Sequence, residues 1–445
     1  MPQSATVPIA FPDLGPIPLA VDFLGGRLTS DGGLPWLAEA DAALGLTTAL
    51  AAVIPNWRTR RGHHDVRTLL AQRIYQIACG YEDQNDADTL RHDPLLKHVC
   101  GRLPVTGAAL ASQPTLSRLE NAIGPRICYR LAQALGQVYL QERARRGTPT
   151  HLVLDLDSTD DPTHGAQEGS AYHGYYRQHM YHPLLVFDGE TDQLITAVLR
   201  RGTVHASHGI VGILKRIVAA IRDRWPGVTL EIRADSGFAI PTLYAWCEDA
   251  GIAYTIGLVP NPRLERAVAA LQAEAERQSA ERDGAKVRLL AETRYQADSW
   301  PQPRRVVMKA EVLEQGTNTR FVVTTRSDDP TAVYDWYVDR GETENWIKDL
   351  KTGCFAHRLS CHRFWANQVR LLLHAAAYVL LDTIRHWLIA AQVARMTLET
   401  VRLRLLKIGG WVKELAHRVR LRLASSHPSE GWWQALAAHA ITLRE

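Results

Sequence analysis

Hydrophobic residues in the first third of the chain recur with helical spacing. From about Asp31 to Arg146 they stand three and four residues apart, and prolines and glycines separate the segments. Ser112 precedes a proline, Pro114, near what would be the first turn, a combination typical of a helix start. We therefore predict a helical N-terminal domain.

The pattern changes at His151 to short apolar runs separated by turn residues. Three strand-like runs come first, and the Asp188-Gly189 pair between the second and third is a hairpin signal. A helix, a strand, a second helix and a further strand follow. This order predicts a mixed α/β sheet in which helix-connected parallel strands extend a meander, and it matches an RNase H-like core. The predicted elements are Leu152–Asp157, His179–Phe187, Gln193–Arg201, Ser207–Arg224, Thr229–Ala234, Ile240–Ala250 and Ala253–Val259.

A polar and charged stretch follows, from Pro262 to about Gln315. It begins with a helical pattern at Arg263–Arg282 and continues with β-like runs, so we predict a β-rich insertion in the core. The next helix is expected at Thr331–Lys351, and helices are expected to continue to the end of the chain. The predicted divisions are a helical N-terminal domain at 1–150, the first part of the core at 151–260, the insertion at 261–328, the second part of the core at 329–390 and a helical C-terminal region at 391–445.

Composition indicates a globular protein of several domains. The 445 residues are 46% hydrophobic and 22% charged, a balance that excludes wholesale disorder and a fibrous protein. We expect no membrane span, because the most apolar run, at 369–389, contains charged residues. We expect no signal peptide, because the proline-rich start lacks a basic segment. Six scattered cysteines suit a reducing cytoplasm, where we expect the protein to reside.

Basic residues are unevenly placed, although the formal net charge is only +4. One cluster lies near each end of the chain, and Arg118 is expected to point outward, available to phosphate. Such clusters fit contacts with nucleic acid, but charge runs on helices are usually solvated faces. The clusters are Arg58, Arg60, Arg61, Arg67 and Arg73 in the first, and Arg402, Arg404, Lys407, Lys413, Arg418, Arg420 and Arg422 in the second.

Two aspartates stand where predicted strands end. Asp157 and Asp235 would lie on neighbouring strands of the sheet, so their side chains are expected to converge. Carboxylate oxygens are the ligands that Mg²⁺ prefers, and two such ions support phosphodiester cleavage. Asp155 faces the same side of its strand as Asp157 and is a rival first ligand. The alternative for each acid alone is an ordinary turn residue.

A third acid lies on the helix expected at 331–351. With about 100° per residue, Tyr337, Arg340, Glu344 and Lys351 share one face of that helix, within an arc of about 60°. An aromatic residue, two cations and one acid thus form a single stripe. The alternative is a solvated helix face with a weak Arg340–Glu344 pair.

The pattern Tyr337-x2-Arg340-x3-Glu344-x6-Lys351 resembles the signature around the last catalytic glutamate in one large group of DDE transposases of bacterial insertion sequences. Three further segments are similar to segments of these enzymes. They are Asp157-Ser158-Thr159 at the first aspartate, Arg233–Phe238 at the second, and Gly80–Asp88 in the N-terminal region. The resemblance extends from about Gly32 to Leu381.

The resemblance implies a DNA transposase with an RNase H-like core that is split by a β-rich insertion. It implies cleavage at terminal inverted repeats and transfer of the 3′-OH ends to target DNA, in a synaptic homodimer. Mg²⁺ is the implied cofactor, for which Mn²⁺ substitutes, and Asp157, Asp235 and Glu344 are the implied metal ligands and catalytic residues. For a bacterial enzyme of this kind the expected location is the nucleoid.

The resemblance also implies contacts to DNA. Arg340 and Lys351, with Tyr337, would hold phosphates beside the scissile bond. Trp300, in the predicted insertion, would stack on a flipped base, and its alternative is a tryptophan buried in a β module. The N-terminal arginines would contact the inverted repeat.

Two other interpretations remain open. Zinc could be held by a mixed cluster or by scattered histidines, although no familiar ligand spacing is present. The residues concerned are Cys354, His357, Cys361 and His362 in the cluster, and His173, His179, His182, His205 and His208 among the histidines. The other interpretation is a catalytically inactive, transposase-derived DNA-binding protein, against which the three retained carboxylates argue.

Overall fold

The computed structural model describes residues 9–11, 17, 19–55, 63–393 and 395–442. The chain divides into two compact units. The first comprises Met1–Ala43, Arg58–Leu119 and Leu380–Glu445, and the second comprises Leu44–Trp57 and Glu120–Val379. Along the described part of the chain there is no helix that is both long enough and apolar enough to cross a membrane.

Helices occur in both units. They are α1 (Leu34–Leu44), α2 (Leu46–Ala52), α3 (Val66–Ala78), α4 (Ala87–Leu90), α5 (Pro94–Val99), α6 (Gln113–Ala122), α7 (Pro125–Arg145), α8 (Ile210–Arg224), α9 (Pro241–Asp249), α10 (Pro262–Ala280), α11 (Pro330–Val338), α12 (Glu342–Lys348), α13 (Phe364–Ala390), α14 (Leu398–Val401) and α15 (Glu430–Thr442). The predicted helix start near Ser112 is confirmed, because α6 begins at Gln113.

Strands are concentrated in the second unit. They are β1 (Ile9–Phe11), β2 (Leu19–Val21), β3 (Leu28–Thr29), β4 (His151–Ser158), β5 (Asp161–Pro162), β6 (Ala171–His173), β7 (Gln178–Tyr181), β8 (Leu184–Asp188), β9 (Leu194–Val198), β10 (Thr229–Ala234), β11 (Ala253–Leu258), β12 (Val287–Tyr295), β13 (Arg304–Leu313), β14 (Gly316–Thr324), β15 (Gly410–Leu415) and β16 (Arg418–Leu423).

An eight-stranded mixed sheet forms the centre of the second unit, with the order β12-β13-β14-β11-β10-β4-β8-β9. β4, β10 and β11 run parallel to one another, whereas β8 pairs antiparallel with both β4 and β9. The mixed α/β sheet with helix-connected parallel strands beside a meander is therefore confirmed. Helices α8 and α9 make the connections, because a parallel pair of strands needs a crossover.

One predicted strand is divided in the structure. The run expected at His179–Phe187 breaks at His182 and Pro183, and only its second half, β8, joins the large sheet. Its first half, β7, lies in a small sheet of order β5-β7-β6. Pro183 lacks an N–H group and cannot donate to a ladder, which is consistent with a break at this point.

The strands of the predicted insertion extend the large sheet. β14 pairs antiparallel with β11 along Thr255–Leu258, and β13 and β12 follow outward. Buried side chains of this part, such as Val306 and Val323, belong to the same hydrophobic cluster as Leu154 and Ile232 of the central strands. The three added strands and the central strands thus share one core.

Side chains along β4 alternate between a face that packs in the core and a face that carries the acids. Leu152, Leu154 and Leu156 point into the main hydrophobic cluster. Successive side chains of a strand point to opposite faces, so Asp155 and Asp157 lie on the other face of the sheet.

The first unit contains a β-ribbon that the sequence did not lead us to expect. The region 391–445 is predicted to be helical, and α14 and α15 are helices, but β15 and β16 form an antiparallel pair, and β15 also pairs with β3. The ribbon is not predicted because the loop Ala416–His417 carries no glycine, asparagine or proline, the usual signals of a hairpin. The strict alternation from Arg418 to Leu423 was the available signal.

Candidate active site

Asp157 and Asp235 lie side by side at the carboxyl ends of two central strands, which form one edge of the large sheet. β4 and β10 are parallel neighbours in which Leu156 pairs with Ala234, so the next residue along each strand is one of the two aspartates. The predicted adjacency of these strands is confirmed. Asp235 begins a short 3-10 turn at Ser236–Phe238, and its side chain accepts a hydrogen bond of 3.0 Å from the backbone N–H of Gly237.

Glu344 reaches this edge from a helical segment with three geometries. α11 ends at Val338, a 3-10 turn covers Asp339–Gly341, and α12 is followed by a π-helical turn at Asp349–Gly353. The helix expected at 331–351 is therefore helical throughout but not a regular α-helix. Such π turns are rare and recur at functional sites.

Arg340 connects the first and third acids. Its Nη1 lies 3.2 Å from Oδ2 of Asp157, and its Nη2 lies 3.5 Å from Oε1 of Glu344. The Asp157 side chain is 11% exposed and that of Glu344 is 71% exposed. Arg340 is thus more than the partner in a solvated helix pair, because it joins the helix to the end of β4.

The three carboxylates influence one another electrostatically. Burial, together with the negative charges of Asp235 and Glu344, raises the pKa of Asp157 to about 7, although the Arg340 guanidinium acts in the opposite direction. A buried carboxylate with two other carboxylates nearby keeps its proton up to near neutral pH. When all three acids are ionised, the single charge of Arg340 offsets only one of them.

Asp155 is engaged by partners from the protein. Its two oxygens accept hydrogen bonds of 2.7 Å each from Nε and Nη2 of Arg233, and Thr343 Oγ1 lies 3.3 Å away. Arg233 also donates to the backbone carbonyl of Trp336 at 2.9 Å. This closed arrangement fixes β4, β10 and the helical segment to one another, and it leaves Asp157 as the more accessible acid of the pair.

Tyr337 closes the site from the direction of β11. A Cβ atom added to Gly257 would lie 2.5 Å from the Tyr337 hydroxyl and 3.0 Å from the backbone nitrogen of Ser236. Only glycine fits this close approach of the phenol to the residues that follow Asp235. Burial raises the pKa of Tyr337, and Asp235 raises it as well, although Arg340 opposes the change.

Lys351 binds the segment after the first acid. Its Nζ donates to Oδ1 and to the carbonyl oxygen of Asp160, both at 2.8 Å, and to Thr159 Oγ1 at 3.2 Å. Gln178 holds the other carboxylate oxygen of Asp160 at 2.8 Å. The ammonium group therefore has three oxygen partners within the protein.

An aromatic turn that the sequence pattern did not predict lies near the acids. Tyr175 and Tyr176 occupy the turn between β6 and β7, and Tyr175 is 85% exposed. Burial, together with the charges of Asp160, Asp157 and Asp235, raises the pKa of Tyr176 to about 12. Two adjacent tyrosines in a polar turn flanked by short strands were the signal that was available.

Trp300 lies in the hydrophobic core. It is 6% exposed, and its ring makes edge contacts with Tyr244 at 5.3 Å and Tyr295 at 5.4 Å. The guanidinium of Arg304 lies 5.1 Å from the ring centroid. Of the two interpretations of Trp300, this position agrees with the buried tryptophan and not with stacking on a flipped base, because the ring is enclosed by core side chains.

The N-terminal arginines have different positions. Arg118 is exposed on α6, as expected. Arg73 is buried, and it donates to the backbone carbonyls of Tyr81 and Glu82 at 3.1 and 2.6 Å, so it stabilises the segment that begins at Gly80. The other expected contacts, Arg58, Arg60 and Arg61, lie outside the described residues.

The residues of the zinc alternatives do not form a site in the part of the chain that the structure describes. His357 Nδ1 pairs with the carbonyl oxygen of Lys351 at 2.7 Å, and Cys361 Sγ lies 3.7 Å from Glu120 Oε2. His173 and His182 approach each other, with ring centroids 5.2 Å apart, but no third ligand joins them. Zinc is therefore not supported.

Three acids at one edge of a mixed sheet, with a cation among them, suit chemistry on a phosphodiester. A sequence profile described as Transposase DDE domain group 1 matches residues 12–444. The chain belongs to this family of DNA transposases, which implies nuclease and transposition activity and the use of a divalent metal. No curated protein matches the chain. A solved piggyBac transposase synaptic complex with hairpin DNA is similar at 12% identity and a TM-score of 0.45, over 94% of this chain and 83% of that one.

Proposed function

We propose that this chain is a cut-and-paste transposase that cleaves DNA at the terminal inverted repeats of its own insertion sequence with Asp157, Asp235 and Glu344. The 3′-OH ends released by cleavage then attack target DNA. The observation that carries the proposal is the contact of one arginine, Arg340, with Asp157 and Glu344, beside Asp235 on the adjacent strand. In this proposal β4, β8, β9, β10 and β11 correspond to an RNase H-like core.

The donor set fits a divalent metal. Three carboxylates supply hard oxygen ligands, and the charges of Asp235 and Glu344 both act to raise the pKa of Asp157, a repulsion that a bound cation would relieve. We propose Mg²⁺, with Mn²⁺ as a substitute. When bound, such ions activate the attacking oxygen and stabilise the leaving oxygen.

The other residues of the signature would orient the substrate. Arg340 lies among the acids and would meet a phosphate there. Tyr337 would support the Asp235 segment through its contact with Gly257. Lys351 remains proposed as a phosphate contact, but its three oxygen partners favour a role in holding the Thr159–Asp160 segment.

The proposed partners are duplex DNA at the element ends and at the target. A homodimer would bring both ends together, because two ends must be cut for one element to move. The proposed setting is a bacterial cytoplasm, with the protein at the nucleoid. Arg118 would contact DNA phosphate.

A cleavage assay tests the proposal. The substrate is a supercoiled plasmid that carries the gene with its flanking DNA, and the products are nicked and excised DNA in Mg²⁺ or Mn²⁺. Glu344→Gln should lower cleavage by roughly 10³-fold or more, because it removes one ligand charge. Glu342→Gln is the matched control, since Glu342 is an exposed acid on the same helix.

Two outcomes would contradict the proposal. Equal cleavage by the native protein and by Glu344→Gln would show that the three acids do not form the nuclease centre. Metal-independent binding of the flanking DNA without any cleavage would instead support an inactive DNA-binding protein.

A further inference from the structure

The ribbon of β15 and β16 has two chemically different faces. Pairs across the ribbon are Trp411 with Arg422, Lys413 with Arg420 and Leu415 with Arg418, so these six residues share one face. The opposite face carries the buried Val412 and the apolar side chains that alternate with the arginines in β16. We call the first one the cationic face.

Four positive charges are close together on the cationic face. Along a strand, alternate residues lie about 6.4 to 6.8 Å apart, so the three arginines of β16 form a line. Within the described residues, Lys413, Arg418, Arg420 and Arg422 have no carboxylate partner in an ion pair. Lys413 and Arg420 are directly opposite each other, and like charges in this position destabilise a sheet. The arrangement is therefore suited to an anion that spans several of these charges.

Contacts within the same unit hold the ribbon in place. Glu414, which points away from the cationic face, accepts hydrogen bonds from the backbone N–H groups of Val105 and Thr106 at 2.7 and 3.1 Å and from Thr106 Oγ1 at 2.5 Å. Leu421 and Leu423 pack against Gly410 and Gly32. The cationic face thus has a fixed orientation on its unit.

An aromatic ring contacts two of the four charges on this face. Lys413 Nζ and the Arg422 guanidinium lie 5.7 and 5.6 Å from the centroid of the Trp411 ring. These contacts restrict two flexible cationic side chains without neutralising them. The cations are therefore ordered in advance of binding, which lowers the entropy lost when an anion binds.

We propose that the cationic face of the ribbon binds the phosphate backbone of duplex DNA without sequence preference. This inference rests on the proposed function, which makes DNA the substrate. DNA carries one negative charge for about every 1.7 Å of its axis. A line of arginines can contact several of these charges at once, whereas an acidic peptide offers fewer charges at less regular positions. A two-stranded ribbon also has dimensions that the major groove admits.

The test measures how the affinity for a labelled 30-base-pair duplex of arbitrary sequence depends on salt concentration. Binding is measured by fluorescence anisotropy, and EDTA is present so that no cleavage occurs. The variant replaces Arg418, Arg420 and Arg422 by glutamine. Three lost phosphate contacts should lower the slope of log affinity against log salt by about 2.7. Between 50 and 200 mM salt the native protein should then lose about 40-fold more affinity than the variant does.

Two control variants separate charge from other effects. Replacing the same three arginines by lysine keeps the charge and should keep the slope. Replacing Arg224, Arg266 and Arg282 by glutamine removes three exposed arginines of the other unit and should leave the slope close to native. Circular dichroism should show that all variants are folded.

An unchanged slope in the glutamine variant overturns the inference. A change in sedimentation without a change in DNA affinity overturns it too, because a second copy of the chain would then be the partner. Glu344→Gln is measured separately, in the cleavage assay of the proposed function. If that variant cleaves normally, the proposed catalytic site fails while the binding surface stands.

Discussion

Two acid–arginine arrangements lie two residues apart on β4, and they differ in almost every respect. Asp155 is fully buried and makes a two-pronged contact with Arg233. Asp157 is buried too, but its side chain keeps 11% exposure, and the arginine beside it is shared with Glu344. In the first arrangement one carboxylate is paired with one guanidinium. In the second, two carboxylates share one guanidinium, so one negative charge is not compensated. This difference identifies the second as the candidate for ligand binding, since a balanced buried pair has nothing left to offer a metal.

The largest predicted effect on stability comes from opening the balanced pair. Asp155→Asn should lower the free energy of unfolding by about 3 to 5 kcal/mol, because it leaves Arg233 buried without a compensating charge. Urea denaturation of the metal-free protein measures the change. Asp157→Asn is the matched control and should not destabilise the protein. Equal losses in both variants would remove the distinction between the two acids.

The second prediction concerns the pH dependence that Asp157 creates. Its pKa is raised to about 7, so the metal-free folded protein keeps a proton that the unfolded chain releases at lower pH. The folded state should therefore lose stability as the pH rises from the ordinary aspartate range to about 7, and should lose no more above it. Asp157→Asn cannot ionise, so the native protein should fall behind this variant by on the order of 1 kcal/mol per pH unit in that window.

Thermal melts in EDTA at several pH values test this prediction, with Glu342→Gln as a control that should follow the native curve. A gap between Asp157→Asn and the native protein that stays constant from about pH 5 to about pH 7 would contradict the raised pKa. Adding Mg²⁺ should stabilise the native protein and not the variant if the acids hold the metal.

The smallest predicted effect comes from the contact of Tyr337 with β11. Gly257→Ala should push the tyrosine away from the Asp235 segment, at a cost of about 1 to 2 kcal/mol and with roughly 10-fold slower cleavage. The double variant Gly257→Ala/Tyr337→Phe lacks the hydroxyl that meets the new methyl group, so it should regain most of the stability. No recovery in the double variant would mean that the clash with backbone, at Ser236, dominates.

Much of the central sheet could be predicted from the sequence. Short apolar runs that alternate with helical patterns predicted the strands and their order, and strand adjacency brought Asp157 and Asp235 together. The spacing of Arg340 and Glu344 predicted their shared helix face. These features depend on local periodicity and on general rules of chain connection, so they can be recognised without coordinates.

Other features depend on packing and could not be predicted in this way. The burial of Trp300 depends on its packing against Tyr244, which is distant in the sequence, and against Arg304 on β13. Only the folded chain shows that these side chains enclose the ring. The choice between Asp155 and Asp157 needed the position of Arg233. The C-terminal ribbon was missed for a local reason, since its turn lacks the residues that usually mark a hairpin.

The long excursion of the chain between Asp235 and Glu344 has a mechanical consequence. β14 is hydrogen-bonded to β11, and β11 is the neighbour of β10, the strand that Asp235 follows. The segment between Asp235 and Glu344 therefore supports the active site and is not a flexible connection. A change in register between β14 and β11 would shift the strands beside Asp235. Length variation is better accommodated at the exposed turn Glu314–Gln315, at the far end of the β13–β14 hairpin, where an added residue disturbs no ladder.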